Sequence, residues 1–197
     1  EHRDLLEARR DRREQQEERR ARKRRDLEPA ARGVEQRRAE APALRVRVER
    51  AAHAARSWAK STAHLRAQIL YYIAENLSVR REEFAQRITE MTGAAMESAK
   101  AEVDLSIDRL FMYAAWADKY DGAAHGVPIR GLALAMHEPV GIIGMLCSDQ
   151  APLLGMVSVL APAIAMGNTC VIVPSQAYPL MATDFYQVLE TSDLPAG

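Results

Sequence analysis

Residues with reactive side chains cluster most densely at Cys147, Ser148, Asp149 and Gln150. A thiol can act as a nucleophile, a carboxylate as an acid or base, and a side-chain amide as a donor to a developing oxyanion. Cys147 has no His, Lys or Arg beside it in sequence to lower its pKa, so it reads as a small buried hydrophobe rather than a nucleophile. Cys170 lies inside an apolar β-rich run and reads as core. The five histidines show neither HxxxH nor HExxH spacing, so no metal site is expected. Glu82 and Glu83 could be taken for an acid-base pair, yet they fall where the first turn of a helix favours acids.

The elements that must position the 147–150 loop are legible around it. Residues 140–147 form a short apolar run, too uniformly hydrophobic to leave one face in water, as a strand buried in a parallel sheet would be. Pro152 then occupies a first helical position, where its missing N–H costs nothing, and an apolar helix should continue to about Met166, stopped by Gly167 and Asn168. Residues 169–173 (Thr, Cys, Val, Ile, Val) read as a second strand. The result is a strand-helix-strand unit of the kind that builds doubly wound sheets, with ligands expected at the carboxyl ends of the strands. Those ends are Cys147 to Gln150 and Pro174 to Gln176.

Upstream, Trp58, Leu65, Ile69, Tyr72, Ile73 and Leu77 recur at helical spacing and predict one amphipathic helix. Ser78 is the expected cap of a second, which buries Phe84, Ile88 and Met91 and ends at Thr92-Gly93. A third, over roughly 96–120, buries Val103, Ile107, Leu110, Phe111 and Ala114. Three helices are thus expected before any sheet, with Trp58 and Trp116 as packing anchors. Leu132, Leu134 and Met136 alternate like a half-exposed strand. Pro179 opens a last helix with Leu180, Ala182, Val188 and Leu189 inward.

Residues 1–43 are dominated by Arg and Glu and offer almost nothing to bury, so they read as a charged extension or linker. An arginine-rich arm touching RNA is the sharper alternative, but interleaved acids dilute its field and no aromatic residue offers a stacking platform. Lys plus Arg and Asp plus Glu each total 27, a formal net charge of zero, so nucleic acid is not an expected partner. At 48% hydrophobic, the 197 residues can bury a core. Two cysteines without CxxC spacing and the lack of a signal-peptide pattern predict a cytoplasmic protein, and no apolar stretch is long enough to predict a membrane span. A first residue other than Met and an end at Gly197 lead us to expect a piece of a longer chain.

Several of these stretches resemble the aldehyde dehydrogenase superfamily: EPVGIIG, PLLGMVSVLAPAIAMGNTCVIVPS, the Pro179-Leu180 pair and SDLPAG, preceded by RAQILYYIAENL, RREEFAQRITEMTG and EVDLSIDRLFMYAAWADKYDG. The resemblance covers about residues 50–197. CSDQAPLLG, VPS and QVLETSDLPAG are most similar to the second, degenerate module of aldehyde dehydrogenase family 16. It implies an α/β fold in which N-terminal helices precede a truncated doubly wound, Rossmann-like parallel sheet. Residues 44–197 would be the N-terminal, incomplete part of a cofactor-binding domain.

The resemblance also implies a chemistry: oxidation of an aldehyde to an acid with NAD or NADP through a cysteine thioester. By family position, Leu146, Cys147, Ser148, Asp149, Gln150, Val173, Ser175 and Gln176 would line the cofactor. Catalytic members carry Pro-Trp-Asn-Phe after the first long strand, with the Asn donating to the oxyanion; here Ser148, Asp149, Gln150 and Ala151 stand there, so Gln150 occupies the oxyanion position on a longer arm. The family's ribose-binding lysine falls on Val173 and its following glutamate on Gln176. The family's catalytic cysteine and glutamate fall beyond Gly197, so no catalytic residue is assigned. The expectation is a degenerate module, inactive alone, or a non-catalytic scaffold packing on an active dehydrogenase module. Expected partners are the rest of its own chain or a second copy, with an aldehyde as substrate.

Overall fold

The structure, a computed structural model, describes residues 42–120 and 122–195. The charged extension assigned to 1–43 falls almost wholly outside the described residues, as does Asp121. The chain divides between Val46 and Arg47 into two units, and the elements below belong to the second, apart from the first turn of α1.

Helix α1 covers residues 42–58 and buries Ala51, Ala54 and Trp58, one stripe at helical spacing. Where a single helix through Leu77 was expected, the chain breaks at 59–62 and starts again as α2, Ala63–Val79. Thr62 explains the break: its Oγ1 accepts from the Leu65 N–H at 3.1 Å, a side-chain cap that fixes a new helix start. The new start re-phases the buried face to Ala67, Leu70, Ile73, Ala74 and Leu77, leaving Leu65 and Tyr72 exposed.

Ser78 does not cap the next helix. Its hydroxyl donates back to the Ala74 carbonyl within α2 at 2.8 Å, and α3, Arg81–Thr92, follows Arg80 without a side-chain cap. Glu82 and Glu83 do lie in the first turn of α3, which buries Phe84, Ala85 and Ile88 and ends on Gly93 at φ +72°, a conformation that favours glycine. Helix α4, Met96–Ala117, buries Val103, Ile107, Leu110 and Ala114, with Phe111 partly covered. Trp116 is 56% exposed and anchors nothing in the core. Among the described residues four helices, not three, therefore precede the first strand.

Strands β1, Ala123–Gly126, and β2, Leu132–Ala135, form an antiparallel hairpin. The alternation at 132–136 marked β2, but the Ala, His and Gly of β1 carry no strand signal of their own. Then come β3, Ile142–Leu146; α5, Pro152–Ala165; β4, Thr169–Val173; and α6, Pro179–Glu190. β3 and β4 pair in parallel, with Ile142 opposite Thr169 through Leu146 opposite Val173. The strand-helix-strand unit and its proline starts follow the sequence reading. Burial of β3 does not: only Met145 is buried along it, because among the described residues β4 is its single neighbour. In α6, Met181, Phe185 and Val188 point into the core while Leu180 is exposed.

Helix α5 is the centre of the packing, with Leu153, Met156, Val157, Leu160, Ala161 and Ile164 buried against the other helices. Its ends, where backbone groups lack intrahelical partners, are satisfied from outside. The Glu102 carboxylate of α4 accepts from the Leu153 and Leu154 N–H groups at 2.9 and 3.2 Å. At the other end the Trp58 indole donates to the Ile164 carbonyl at 3.2 Å and the Arg66 guanidinium to the Ala165 carbonyl at 2.8 Å. A carboxylate at the N-terminus and a guanidinium at the C-terminus also match the helix dipole. The turn out of α5 uses Gly167 at φ +80°, where a Cβ would sit 3.0 Å from the Pro139 ring. Buried Asn168 beside it accepts from the Gly141 N–H at 3.0 Å and donates to the Ala163 carbonyl at 3.2 Å, joining the start of β3 to the end of α5.

Candidate functional site

The parallel register brings the carboxyl ends of β3 and β4 side by side, since the Cys147 N–H donates to the Val173 carbonyl at 3.0 Å. The two loops that leave these ends, 147–151 and 174–178, form one rim. Every position singled out from the sequence lies on it or at the last residue of a strand: Leu146, Cys147, Ser148, Asp149, Gln150, Val173, Ser175 and Gln176.

The rim is held by side chains rather than by ladder bonds. Ser175, buried, donates its hydroxyl to Asp149 Oδ1 at 2.6 Å and accepts from the Tyr178 N–H at 3.1 Å. Ser148 Oγ accepts from the Gln150 N–H at 3.0 Å. Ala151 then takes a left-handed conformation, φ +50°, which turns the chain into α5 behind Pro152. The strain of that conformation on a residue with a Cβ is supported by the first α5 bond, Gly155 N–H to the Ala151 carbonyl at 2.7 Å.

Chemically the rim is poor in positive charge. The loops Cys147–Ala151 and Pro174–Tyr178 contain no Lys or Arg and one carboxylate, Asp149. Leu146 and Val173, at the strand ends, present exposed apolar side chains that neither donate hydrogen bonds nor carry charge. A dinucleotide brings two phosphates and two ribose diols, groups that call for donors and cations. This donor set does not fit such a group. The Gln150 amide is exposed on its loop and makes no side-chain hydrogen bond among the described residues.

Neither thiol is activated. Burial pushes the Cys147 thiol up from its ordinary value, and the Cys170 thiol up to about 11. Among the described residues no cation stabilises either thiolate. Among the described residues no group of three or more His, Cys, Asp or Glu is arranged to hold a metal ion, and no helix is long and apolar enough to cross a membrane. Away from the rim, a cavity of about 300 Å³ runs beside β4, walled by Trp58, Leu160, Ile164, Cys170, Ile172 and Leu189.

Two polar contacts near the rim escape sequence reasoning, because each joins residues about fifty positions apart: Glu102 with the α5 N-terminus, and Arg109 of α4 with Ser158 of α5, Nη1 to Oγ at 3.0 Å. No local pattern encodes such pairs.

Comparison with known proteins places this architecture. The chain is 34% identical over 145 residues to the cytosolic 10-formyltetrahydrofolate dehydrogenase of Mus musculus, covering 71% of this chain and 16% of that protein. Its fold matches betaine aldehyde dehydrogenase of Staphylococcus aureus in complex with NAD+, with a TM-score of 0.74 at 29% identity, over 76% of this chain and 30% of that one. It also matches glyceraldehyde-3-phosphate dehydrogenase of Methanocaldococcus jannaschii complexed with NADP, with a TM-score of 0.72 at 26% identity, over 75% of this chain and 32% of that one. The chain thus spans between about a sixth and a third of the length of these relatives. The aldehyde dehydrogenase family model matches residues 17–197, starting upstream of the motifs that carry the resemblance. The α/β unit, the helices before it and this match over most of the sequence agree: the chain belongs to the aldehyde dehydrogenase family.

Proposed function

We propose that the chain is the N-terminal part of a cofactor-binding domain in an NAD(P)-dependent aldehyde dehydrogenase module whose cofactor rim is degenerate, so that this module does not itself oxidise an aldehyde. The observation that carries the reading is the rim's charge. Val173 stands where the family has a ribose-binding lysine, and the one carboxylate, Asp149, is held in place by Ser175. A fixed carboxylate repels phosphate oxygens, and Val173 supplies no compensating donor. Gln150, at the oxyanion position, carries its amide on an arm one methylene longer than asparagine, which displaces the donor from the place where charge would develop.

The second reading, a scaffold that packs on an active dehydrogenase module or a second copy, draws on the apolar surface. Leu132, Leu134 and Met136 of the hairpin segment are all well exposed, as is Ile129 in its turn. A run of this size is a surface for a partner rather than for water. We place residues 44–197 in this domain, leave 1–43 as an appended charged segment, and place the protein in the cytoplasm.

Titrating NAD+ and NADP+ into the purified chain by calorimetry tests the rim. The expected result is no saturable heat at millimolar cofactor. Micromolar binding would sink the degenerate reading and leave the ordinary dehydrogenase one.

A further inference from the structure

We infer that the outer face of α1, with the turn that follows it, docks an acidic peptide segment of a partner protein through a row of cations. This goes beyond the cofactor reading. The Thr169 hydroxyl donates to the Ala51 carbonyl of α1 at 3.1 Å, which fixes the helix at the start of β4, the end remote from the rim.

Arg47, Arg50, His53, Arg56 and Lys60 follow one another at intervals of three, three, three and four residues, and all five are exposed. Residues so spaced are neighbours on a helix surface, so they form one slanting row about 20 Å long. Ala51, Ala54 and Trp58 hold the helix to the core beside it.

Arg47, Arg50, Arg56 and Lys60 form no ion pair and no side-chain hydrogen bond among the described residues. Cations further along the chain behave differently: Arg80 pairs with Glu83, Arg81 with Asp104, Arg87 with Asp184, Lys100 with Glu82 and Lys119 with Asp118. Within the row, Arg47 beside Arg50 and Arg56 beside Lys60 are like charges at neighbour spacing, which repel. The helix dipole favours Arg56 and Lys60 near the C-terminus of α1 but gives nothing to Arg47 and Arg50. An anion laid along the row relieves both pairs.

The distribution of charge and apolar surface selects the kind of anion. Residues 47–74 hold five Lys or Arg and one acid, Glu49, whereas residues 75–197 hold seven and fifteen. A long polyanion such as RNA would run past the row into the field of that acidic remainder, which salt screens only beyond about 8–10 Å. From Arg47 to Lys60 the exposed side chains include no aromatic ring on which a base could stack, Trp58 being buried, and no apolar group larger than Val48 to enter a bilayer. An extended peptide of about six residues covers about 20 Å, so an acidic segment matches the row in length without reaching beyond it. Its carboxylates would each take two parallel N–H bonds from a guanidinium.

The test titrates fluorescein-labelled decaglutamate into the full 197-residue chain and follows anisotropy, with decaserine, decauridylate and phosphatidylserine vesicles as the other arms. The expected result is saturable binding of decaglutamate that weakens about tenfold or more between about 50 and about 500 mM salt. Decaserine should not bind, and decauridylate and the vesicles should bind about tenfold more weakly or not at all. Arg50→Gln combined with Arg56→Gln should lose about tenfold, while Arg130→Gln, at an exposed arginine outside the row, should change nothing. Circular dichroism checks folding; should that double variant unfold, Arg47→Gln with Lys60→Gln carries the same expectation. Carbodiimide, which couples a peptide carboxylate to a lysine amine, should mark Lys60 by mass spectrometry. Undiminished affinity in the folded double variant, coupling confined to Lys23 in the charged extension, decauridylate or vesicles bound as tightly as decaglutamate, or no peptide binding at millimolar concentration would overturn the proposal. No arm contains a cofactor, so the outcome is separate from whether the rim binds NAD+.

Discussion

The Ser175 hydroxyl reaches 2.6 Å across the rim to Asp149 and so ties the loop after β4 to the loop after β3. The same oxygen accepts from the Tyr178 N–H, which sets the approach to α6. One buried side chain therefore fixes two loops that share no ladder bond. Ser175→Ala should destabilise the chain by about 1–3 kcal/mol, the cost of unmaking hydrogen bonds at a buried position. A denaturant melt measures it, and a midpoint unchanged from the parent would show that the bond is not formed in solution.

If Asp149 and Val173 are what exclude a dinucleotide, replacing them should readmit it. Asp149→Asn removes the repulsive charge and Val173→Lys restores a donor at the family's lysine position. The pair together should raise NAD+ affinity by about tenfold or more, as one added charged contact does. Calorimetry on the double variant checks this. No gain in a folded double variant would move the cause of weak binding away from these two positions.

The strand-helix-strand unit was readable because its signals are local. Pro152 and Pro179 mark helix starts, Gly167 the stop, and a run of β-branched residues the second strand. What could not be read was whatever depends on distant partners. Trp116 and Leu180 are apolar at helical spacing, yet they face away from the core because neighbouring residues of the same helices, Ala114 and Met181, take the inward positions. The break at Thr62 is a cap competing with an uninterrupted hydrophobic stripe, and the cap won. At the site, residue types on the rim were legible, but the Ser175–Asp149 bond and the Arg109–Ser158 contact need the folded register to bring them together.

Glu102 offers a separable test of how α5 is held. Its carboxylate serves two N–H groups that no residue within α5 can satisfy, so Glu102→Ala should cost about 1–2 kcal/mol, as loss of a helix cap does. Glu102→Gln keeps an acceptor without the charge and should recover about half of that. Thermal melts of the two variants against the parent give the comparison. Equal losses for Ala and Gln would mean that charge, not hydrogen bonding, does the work.

Stability should fall on the acid side through the ion pairs of α3 and α4. A hydrogen bond from Arg81 holds the Asp104 carboxyl below its ordinary value, and Lys100 and Arg80 do the same for Glu82 and Glu83. Each group is thus a stronger acid folded than unfolded. The unfolded chain binds more protons in the window between the two values, so the stabilisation is present above about pH 4 and is lost as the pH falls through the lower, folded values. The groups are largely exposed, so salt should shrink the effect. We expect the melting temperature to drop between about pH 5 and about pH 3, with a shallower slope in Arg81→Gln. A slope identical to the parent's would remove the Arg81 pairing as a contributor.

The thiols supply the last test, since they separate a buried cysteine from a nucleophile by rate alone. A thiolate attacks, not a thiol, and with Cys170 at about 11 the reactive form is scarce near neutral pH. Cys147, at the end of β3, is also shifted up by burial, and no cation among the described residues opposes the shift. Alkylation of the folded chain by iodoacetamide near pH 8 should therefore run slower at both positions than in the same chain unfolded in urea, with Cys170 the slower of the two. Mass spectrometry after timed quenching resolves the sites. Cys147 modified faster folded than unfolded would mark an activated thiolate at the rim, and would return it to consideration as a nucleophile.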